Sequence, residues 1–242
     1  MQLDNKVALV TGGAVRLGRA MALALAARGV RVAITYYSSA DSAQGTLADI
    51  RNAGVDGCAI QADLAKPNAA GRVVERVITH FGQLDILINN AAIFETGFWD
   101  STTVDNWDRH FAINLRAPFF LAQAFAQYLE RSRPGHIVNI ADWRGARPGV
   151  DHVAYTLTKA GLIAMTSSLA LALAPTIQVN AIAPGIILPP PGTDQDWLER
   201  HLQSVPAQRS GSPEEIAHTL LYLLESEFVT GDIIEVTGGQ HL

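Results

Sequence analysis

The sequence predicts an α/β protein with a doubly wound parallel β-sheet and helices on both faces. Short apolar segments typical of buried strands alternate with segments of helical periodicity, as in consecutive β-α-β units. The apolar segments are continuous rather than alternating, which indicates strands covered on both faces. The chain has 242 residues, of which 48% are hydrophobic. We therefore expect a single domain over residues 1–242, although the length alone also permits two.

In the first half of the chain, each predicted strand is followed by a predicted helix. The first strand, 7–10, leads into a glycine pair, and the helix after it, 17–28, ends at Gly29. The same change from apolar runs to helical periodicity predicts the next elements. They are strands at 31–36, 58–61 and 85–89, and helices at 40–53 and 68–81.

The second half continues the pattern with longer helices. A helix is predicted at 104–131, with a kink at Pro118 because proline lacks a backbone donor. The remaining elements are strands at 136–140, 178–182 and 233–236 and helices at 153–174 and 213–226.

A proline-rich segment, 184–211, follows a strand at the carboxyl edge, where such sheets bind ligands. Its middle, 196–203, has a helical pattern. We expect this segment to be a substrate loop or lid, and an ordinary surface excursion is the alternative.

Charge and cysteine content exclude several functions. The formal net charge of −5 provides no basic surface for nucleic acid or an anionic membrane. The single cysteine, Cys58, excludes an intrachain disulfide, and the histidines lack metal-ligand spacing. No uninterrupted apolar run reaches the roughly 18 residues of a membrane span, and the first residues lack the layout of a signal peptide. We expect a cytoplasmic protein that binds no metal, nucleic acid or membrane.

The first indication of chemistry is the pair Tyr155 and Lys159, four residues apart on one face of a predicted helix. We expect the ammonium to favour the tyrosinate and to lower the pKa of the phenol from about 10. A phenol tuned in this way delivers a proton near neutral pH. Tyrosine and lysine one turn apart also occur by chance, so the pair alone does not establish an enzyme.

A second motif, at 11–18, joins the first strand to the first helix and contains Gly12 and Gly18. Glycines there let the backbone approach a pyrophosphate bound at the N–H groups of the helix. Arg16 lies in the first turn, where a cation opposes the helix dipole unless an anion binds beside it. A solvated surface arginine is the alternative. After the second strand an acid is found only at Asp41, which favours NADP over NAD.

With several other motifs in the same order, these features resemble the short-chain dehydrogenase/reductase family over nearly the whole chain. The motifs that carry the resemblance are the loop 11–18, Asp63-Leu64, Asn89-Asn90-Ala91-Ala92, Asn114, Tyr155 with Lys159, and Pro184-Gly185. The resemblance implies a Rossmann-type sheet of seven strands, NADP(H) as cofactor and assembly into homotetramers. The catalytic residues that it implies are Asn114, Asp142, Tyr155 and Lys159. The implied cofactor contacts are Gly12, Arg16, Leu17, Gly18, Tyr37, Ser38, Ser39, Asp63, Leu64, Asn90, Ala91, Tyr155, Lys159, Pro184 and Gly185.

Two departures from the family pattern resemble one of its branches. Arg16 stands where the family has a glycine and Asp142 where it has a serine, as in pteridine reductases and dihydromonapterin reductases. Phe94 follows the Asn-Asn-Ala turn, where that branch stacks a phenylalanine on the pterin. The implied substrate contacts are Arg16, Phe94, Asp142, Tyr155 and Leu188. Taken singly, Asp142 is also consistent with a turn or cap residue and Phe94 with a core residue.

The aspartate favours a pterin over a simple ketone. An ionised carboxylate repels the negative charge that ketone reduction builds on oxygen, unless the carboxyl is held protonated. A dihydropterin takes hydride at carbon and needs a proton on nitrogen, which a Tyr155–Asp142 pair supplies. We therefore expect an NADPH-dependent reductase of dihydromonapterin, dihydrobiopterin or dihydrofolate.

Two alternatives stay open. One is a carbonyl reductase of other specificity, and the other is a cofactor-binding sensor or scaffold with little turnover. The presence of both Tyr155 and Lys159 argues against the second, because a binding protein does not need a tuned phenol.

Overall fold

The computed structural model describes residues 1–129, 133–189 and 195–242. Within them, the strands are β1 (Val7–Val10), β2 (Arg31–Tyr36), β3 (Gly57–Gln61), β4 (Ile86–Asn89), β5 (Gly135–Ile140), β6 (Ile177–Pro184) and β7 (Ile233–Val236). The helices are α1 (Arg16–Ala26), α2 (Ala40–Asn52), α3 (Ala69–Phe81), α4 (Val104–Phe111), α5 (Ala117–Tyr128), α6 (Val153–Leu173), α7 (Gln195–Leu202) and α8 (Pro213–Glu225).

The seven described strands form one parallel sheet in the order β3-β2-β1-β4-β5-β6-β7. The strand order reverses between β1 and β4, which are hydrogen-bonded neighbours. Loops that leave the carboxyl ends of these two strands diverge to opposite faces and open a crevice between them. The predicted doubly wound, seven-stranded α/β fold is confirmed.

The two faces of the sheet carry two separate apolar clusters. Along β1, Ala8 and Val10 contribute to the cluster under α1 and α8, whereas Val7 and Leu9 contribute to the cluster under α3 and α5. All four residues of this strand are fully buried, as expected of a parallel strand covered on both faces.

A buried polar chain fixes α6 over the centre of the sheet. Asn89 and Asn139 are register partners on β4 and β5, and Asn89 Nδ2 donates to Asn139 Oδ1 at 2.9 Å. Asn139 Nδ2 in turn donates to Thr166 Oγ1 on α6 at 2.9 Å. Hydrogen bonds between buried groups are worth more than exposed ones, so this chain holds the helix in one rotational setting.

The predicted kink in the helix at 104–131 takes another form. The segment Ala112–Arg116 is a single π-helical turn between α4 and α5, and Pro118 lies in the first turn of α5. The proline ring clashes with the carbonyl of the residue four positions earlier, Asn114, and a widened turn relieves that clash. The irregularity therefore precedes the proline, and residues 130 and 131 of the predicted helix lie outside the described residues.

The helix α6 combines a membrane-like composition with packing inside the fold. The helix α6 is long and apolar enough to span a membrane by length and composition, although uninterrupted apolar runs of that length are not seen in the sequence. It packs against β6, the π-helical turn and the 3-10 helix Trp143–Gly145.

The helix predicted at 196–203 is α7, whereas residues 190–194 of the predicted lid lie outside the described residues.

Candidate active site

A cleft of about 680 Å³ opens at the carboxyl ends of β1, β2 and β4. Its walls include most of the predicted cofactor contacts: Gly12, Arg16, Leu17, Gly18, Tyr37, Ser38, Ser39, Asp63, Leu64, Asn90 and Ala91. They also include residues that sequence reasoning missed, namely Ala62, Ala65, Arg109 and Ile113. The volume is that of a site for an extended small molecule.

The loop before α1 is shaped to receive an anion. Gly12 has a φ of 62°, and its N–H donates to Thr35 Oγ1 at 3.0 Å. A Cβ on Gly18 would lie 2.2 Å from the carbonyl oxygen of Gly12, so only glycine allows the loop to close onto the helix. The residue before the helix is Val15, whose apolar side chain has no acceptor for the first N–H groups. These groups fit a pyrophosphate.

The loop is held to β4 by the Asn-Asn-Ala turn. Thr11 Oγ1 accepts from the backbone N–H of Asn90 at 2.9 Å and of Ala91 at 3.0 Å. Asn90 Nδ2 donates to the carbonyl oxygens of Thr11 at 2.8 Å and Gly12 at 3.2 Å. The two strands on either side of the crevice are therefore joined at the base of the cleft.

Arg16 connects the phosphate loop to the segment after β6. Its φ is 53°, a left-handed conformation that glycine adopts without strain. Its Nη2 donates to the carbonyl oxygens of Leu188 at 3.2 Å and Pro189 at 3.0 Å. Two predicted substrate contacts, Arg16 and Leu188, therefore meet at the cleft, although the Leu188 side chain packs against the α1/α8 cluster.

Tyr155, Asp142 and Lys159 meet beside this cleft. Tyr155 Oη donates to Asp142 Oδ2 at 2.7 Å, and Lys159 Nζ donates to the carbonyl oxygen of Ile140 at 2.6 Å. Lys159 Nζ lies 5.5 Å from the centroid of the Tyr155 ring. Asp142 Oδ1 also accepts from the backbone N–H of Arg144 at 2.8 Å. Asp142 is thus both the cap of a 3-10 helix and the partner of the phenol.

Burial governs the protonation of this cluster. It raises the pKa of Asp142, and the hydrogen bonds from Arg144 and Tyr155 oppose the shift. Burial, together with the charge and hydrogen bond of Asp142, raises the pKa of Tyr155 well above 10. Burial lowers the pKa of Lys159 to about 8 against the attraction of Asp142. All three shifts favour the neutral forms.

The expected lowering of the Tyr155 pKa by Lys159 is therefore wrong for this structure. The phenol is buried, and its hydrogen-bonded neighbour is a carboxylate, which disfavours the tyrosinate. The lysine ammonium is turned to the carbonyl of Ile140 instead.

Asn114 ties the π-helical turn to the segment that carries Phe94. Its Oδ1 accepts from the backbone N–H of Ile93 at 2.9 Å, and its Nδ2 donates to the carbonyl oxygen of Ile93 at 3.0 Å. Phe94 is half-exposed and packs edge-on to Tyr155, with ring centroids 4.7 Å apart. The alternative of a core residue therefore does not hold for Phe94.

His152, the residue before α6, also lies beside Tyr155 and Phe94. Its side chain is only 14% exposed and stacks on Phe94 with a centroid distance of 4.1 Å. Its position three residues before Tyr155 was the available signal, since such residues share a helix face.

Two of the remaining predicted cofactor contacts lie at the end of β6, the strand next to β5. Pro184 and Gly185 are at the carboxyl end of β6, where Gly185 N donates to the carbonyl oxygen of Val236 at 3.0 Å. None of the four predicted contacts Tyr155, Lys159, Pro184 and Gly185 is among the residues that line the 680 Å³ cleft. The structure thus divides the predicted site into a cofactor cleft and an adjoining cluster of titratable side chains.

Comparison with known proteins identifies the family of this chain. A family model described as enoyl-(acyl carrier protein) reductase matches residues 13–241. A 3-oxoacyl-[acyl-carrier-protein] reductase, FabG, of Staphylococcus epidermidis is 35% identical over 243 residues, which cover 98% of this chain and 100% of that protein. The chain belongs to the short-chain dehydrogenase/reductase family. The resemblance read from the sequence is confirmed at this level.

Solved structures of other short-chain reductases share the whole fold. FolM alternative dihydrofolate reductase 1 from Brucella canis, complexed with NADP, is 37% identical with a TM-score of 0.93, and the match covers 100% of this chain and 96% of that one. A short chain dehydrogenase from Burkholderia cenocepacia, also in complex with NADP, is 36% identical with a TM-score of 0.93 over 100% of both chains.

Proposed function

We propose that this short-chain reductase transfers hydride from NADPH to a dihydropterin, with Tyr155 and Asp142 holding the proton for the ring nitrogen. The observation that carries the proposal is the 2.7 Å hydrogen bond between Oη of the buried Tyr155 and the partly buried Asp142 carboxyl. A serine at position 142 would suit an oxyanion, whereas a carboxyl holds and releases a proton.

The cleft residues support NADPH as the cofactor. The loop around Gly12 and Gly18 and the start of α1 would hold its pyrophosphate, and Asp63 and Leu64 would lie at its adenine. The hydroxyl-bearing Tyr37, Ser38 and Ser39 line the part of the cleft after β2, where an acid would repel a 2′-phosphate. When bound, NADPH supplies the hydride. The relatives from Brucella and Burkholderia were crystallised with NADP.

The neutral forms that burial favours in this cluster support protonation of the substrate. Because burial raises the pKa of Asp142, this carboxyl retains a proton at higher pH than an exposed aspartate does. Tyr155 Oη delivers a proton to the substrate nitrogen, and Asp142 Oδ2 lies within hydrogen-bond distance to replace it. Lys159 Nζ, 5.5 Å from the centroid of the Tyr155 ring, is a further proton source.

The aromatic side chain next to Tyr155 supports a flat substrate. Phe94 offers a half-exposed aromatic face next to Tyr155, and aromatic contacts contribute about 1 kcal/mol beyond area burial. The Brucella relative carries the name alternative dihydrofolate reductase, and dihydrofolate contains a flat pterin ring system.

A second candidate is the reduction of an open-chain 3-oxoacyl carbonyl. Two observations favour it: the 35% identity to the staphylococcal 3-oxoacyl reductase and the raised pKa of Asp142. A protonated carboxyl donates a hydrogen bond to a carbonyl oxygen much as a hydroxyl does.

Initial rates of NADPH oxidation with dihydropterins of different side chains, dihydrofolate and 3-oxoacyl thioesters separate the two. We expect turnover of at least one dihydropterin by the unmodified enzyme. Asp142→Ser should lower that kcat by about 100-fold, the usual contribution of a positioned acid, with NADPH affinity within about twofold. Asp100→Asn, an exposed change away from the cluster, is the control. Turnover of the thioesters alone would contradict the pterin proposal and favour the second candidate.

A further inference from the structure

His152, the residue immediately before α6, has an unusual backbone conformation. Its φ is 54°, in the left-handed region that a non-glycine residue adopts only with strain. Two polar contacts accompany it. Nδ1 lies 2.9 Å from Asp151 Oδ2, and Nε2 lies 3.4 Å from Thr96 Oγ1. Strain of this kind persists where neighbouring contacts determine the conformation.

The flat face of the imidazole lies on Phe94. The two rings are 4.1 Å apart at an interplanar angle of 4°, so they are parallel. Phe94 meets Tyr155 at 80°, with centroids 4.7 Å apart. His152 therefore sets the plane of the phenylalanine relative to the phenol that donates the proton.

The position of His152 is in turn tied to the acid. Asp151 Oδ1 accepts from Arg144 Nη1 at 2.8 Å, and the backbone N–H of Arg144 donates to Asp142 Oδ1 at 2.8 Å. The contacts form a closed ring around the mouth of the site through Asp142, Arg144, Asp151, His152, Phe94 and Tyr155. Because the ring is closed, the imidazole, the aromatic plane and the acid are oriented together.

We propose that His152 is a positioning residue that fixes the plane of Phe94 and so selects flat bicyclic substrates. This inference rests on the proposed reduction of a dihydropterin. A flat heteroaromatic substrate needs an aromatic plane at a set angle to the proton donor, whereas an open-chain carbonyl does not. His152 contributes to substrate specificity through Phe94 and leaves the binding of NADPH unchanged.

Two substitutions at this position separate ring stacking from backbone geometry. His152→Asn removes the ring, while asparagine tolerates the left-handed conformation and retains a donor for Asp151. His152→Phe restores the ring and loses the bond to Asp151. His218→Asn, an exposed histidine on α8, is the matched control. KM and kcat for the dihydropterin and KM for NADPH are measured for each protein.

We expect His152→Asn to raise KM for the dihydropterin about fivefold, the size of one aromatic contact, with kcat and the KM for NADPH within about twofold. His152→Phe should recover most of this loss. The inference is overturned if His152→Asn behaves like His218→Asn, or if it impairs NADPH and dihydropterin alike; in both cases the proposed function stands. If the unmodified enzyme reduces no dihydropterin, the proposed function fails and the inference fails with it.

Discussion

Lys159 is buried, and its Nζ donates to the carbonyl oxygen of Ile140 at 2.6 Å. Loss of solvation lowers the pKa of this amine from 10.5 to about 8, and the attraction of Asp142 limits the shift. An exposed lysine stays charged throughout the neutral range, whereas this one loses its proton as the pH rises through about 8. Its charge is therefore available to the phenol only below that pH.

From this we predict an alkaline limit to turnover. If Lys159 returns a proton to Tyr155, kcat falls as the pH rises through about 8, because the amine is then neutral. In Asp142→Asn the carboxylate that favours the ammonium is gone, so the pKa of Lys159 falls further. The alkaline limb of the residual turnover then moves to lower pH. Measuring kcat from about pH 6 to about pH 10 tests this, and a limb at the same pH in both proteins would contradict it.

At the scale of elements, the π-helical turn Ala112–Arg116 couples two parts of the site. It widens the backbone at Asn114, whose buried amide holds both polar groups of the Ile93 backbone and contacts Thr158 Oγ1 at 3.3 Å. The turn thus links α4 and α5 to α6 and to the segment that carries Phe94. The π-helical turn therefore positions Asn114, which holds the segment of Phe94 in place.

Replacing Asn114 with alanine tests that role. The change leaves the Ile93 N–H and C=O without their partner, which we expect to cost about 2–4 kcal/mol in the free energy of unfolding. It should also raise KM for the substrate, because the Phe94 segment loses its attachment. Chemical denaturation is compared with that of Asn52→Ala, an exposed asparagine at the end of α2. If both variants lose the same free energy of unfolding, the Asn114 amide does not hold the segment of Phe94.

The elements themselves were largely predictable, because buried parallel strands are continuous apolar runs. The predicted strand 233–236 coincides with β7, and the predicted strand 178–182 is one residue longer at its start and two longer at its end in β6. The π-helical turn was not, because Pro118 predicts an irregularity in the helix but not the form that it takes. The contact of Asn114 with Ile93 was not predictable either, since the two residues are 21 positions apart.

The orientation of His152 also could not be predicted. Its stack on Phe94 joins distant parts of the chain, and no local pattern encodes its left-handed φ. The direction of the Tyr155 pKa shift depends on how deeply the fold buries the phenol. The sequence therefore indicates which residues meet, while their charges and angles come from the packing.

At the scale of the whole molecule, an apolar surface extends over α5 and α6. Phe119, Phe120, Leu157 and Leu171 are each at least 40% exposed there. A groove on the same side is lined by residues that include Leu115, Phe119, Phe120, Gly161 and Met165. A large exposed apolar patch marks an interaction surface. We therefore expect the homotetramer implied by the family resemblance to use this face, with a second copy of the chain against it.

Phe120→Asp places a charge in the middle of that surface. Burying an unpaired carboxylate between two copies costs several kcal/mol, so the assembly should dissociate to a smaller species. Turnover should fall in parallel, because Tyr155 and Lys159 lie on α6, which forms part of the same face. Light scattering after size exclusion gives the mass, at several concentrations because assembly depends on mass action. Val104→Asp, an exposed apolar residue at the start of α4, is the matched control and should keep the mass of the unmodified protein. A Phe120→Asp protein that retains both four-chain mass and full turnover would show that this face lies outside the interface.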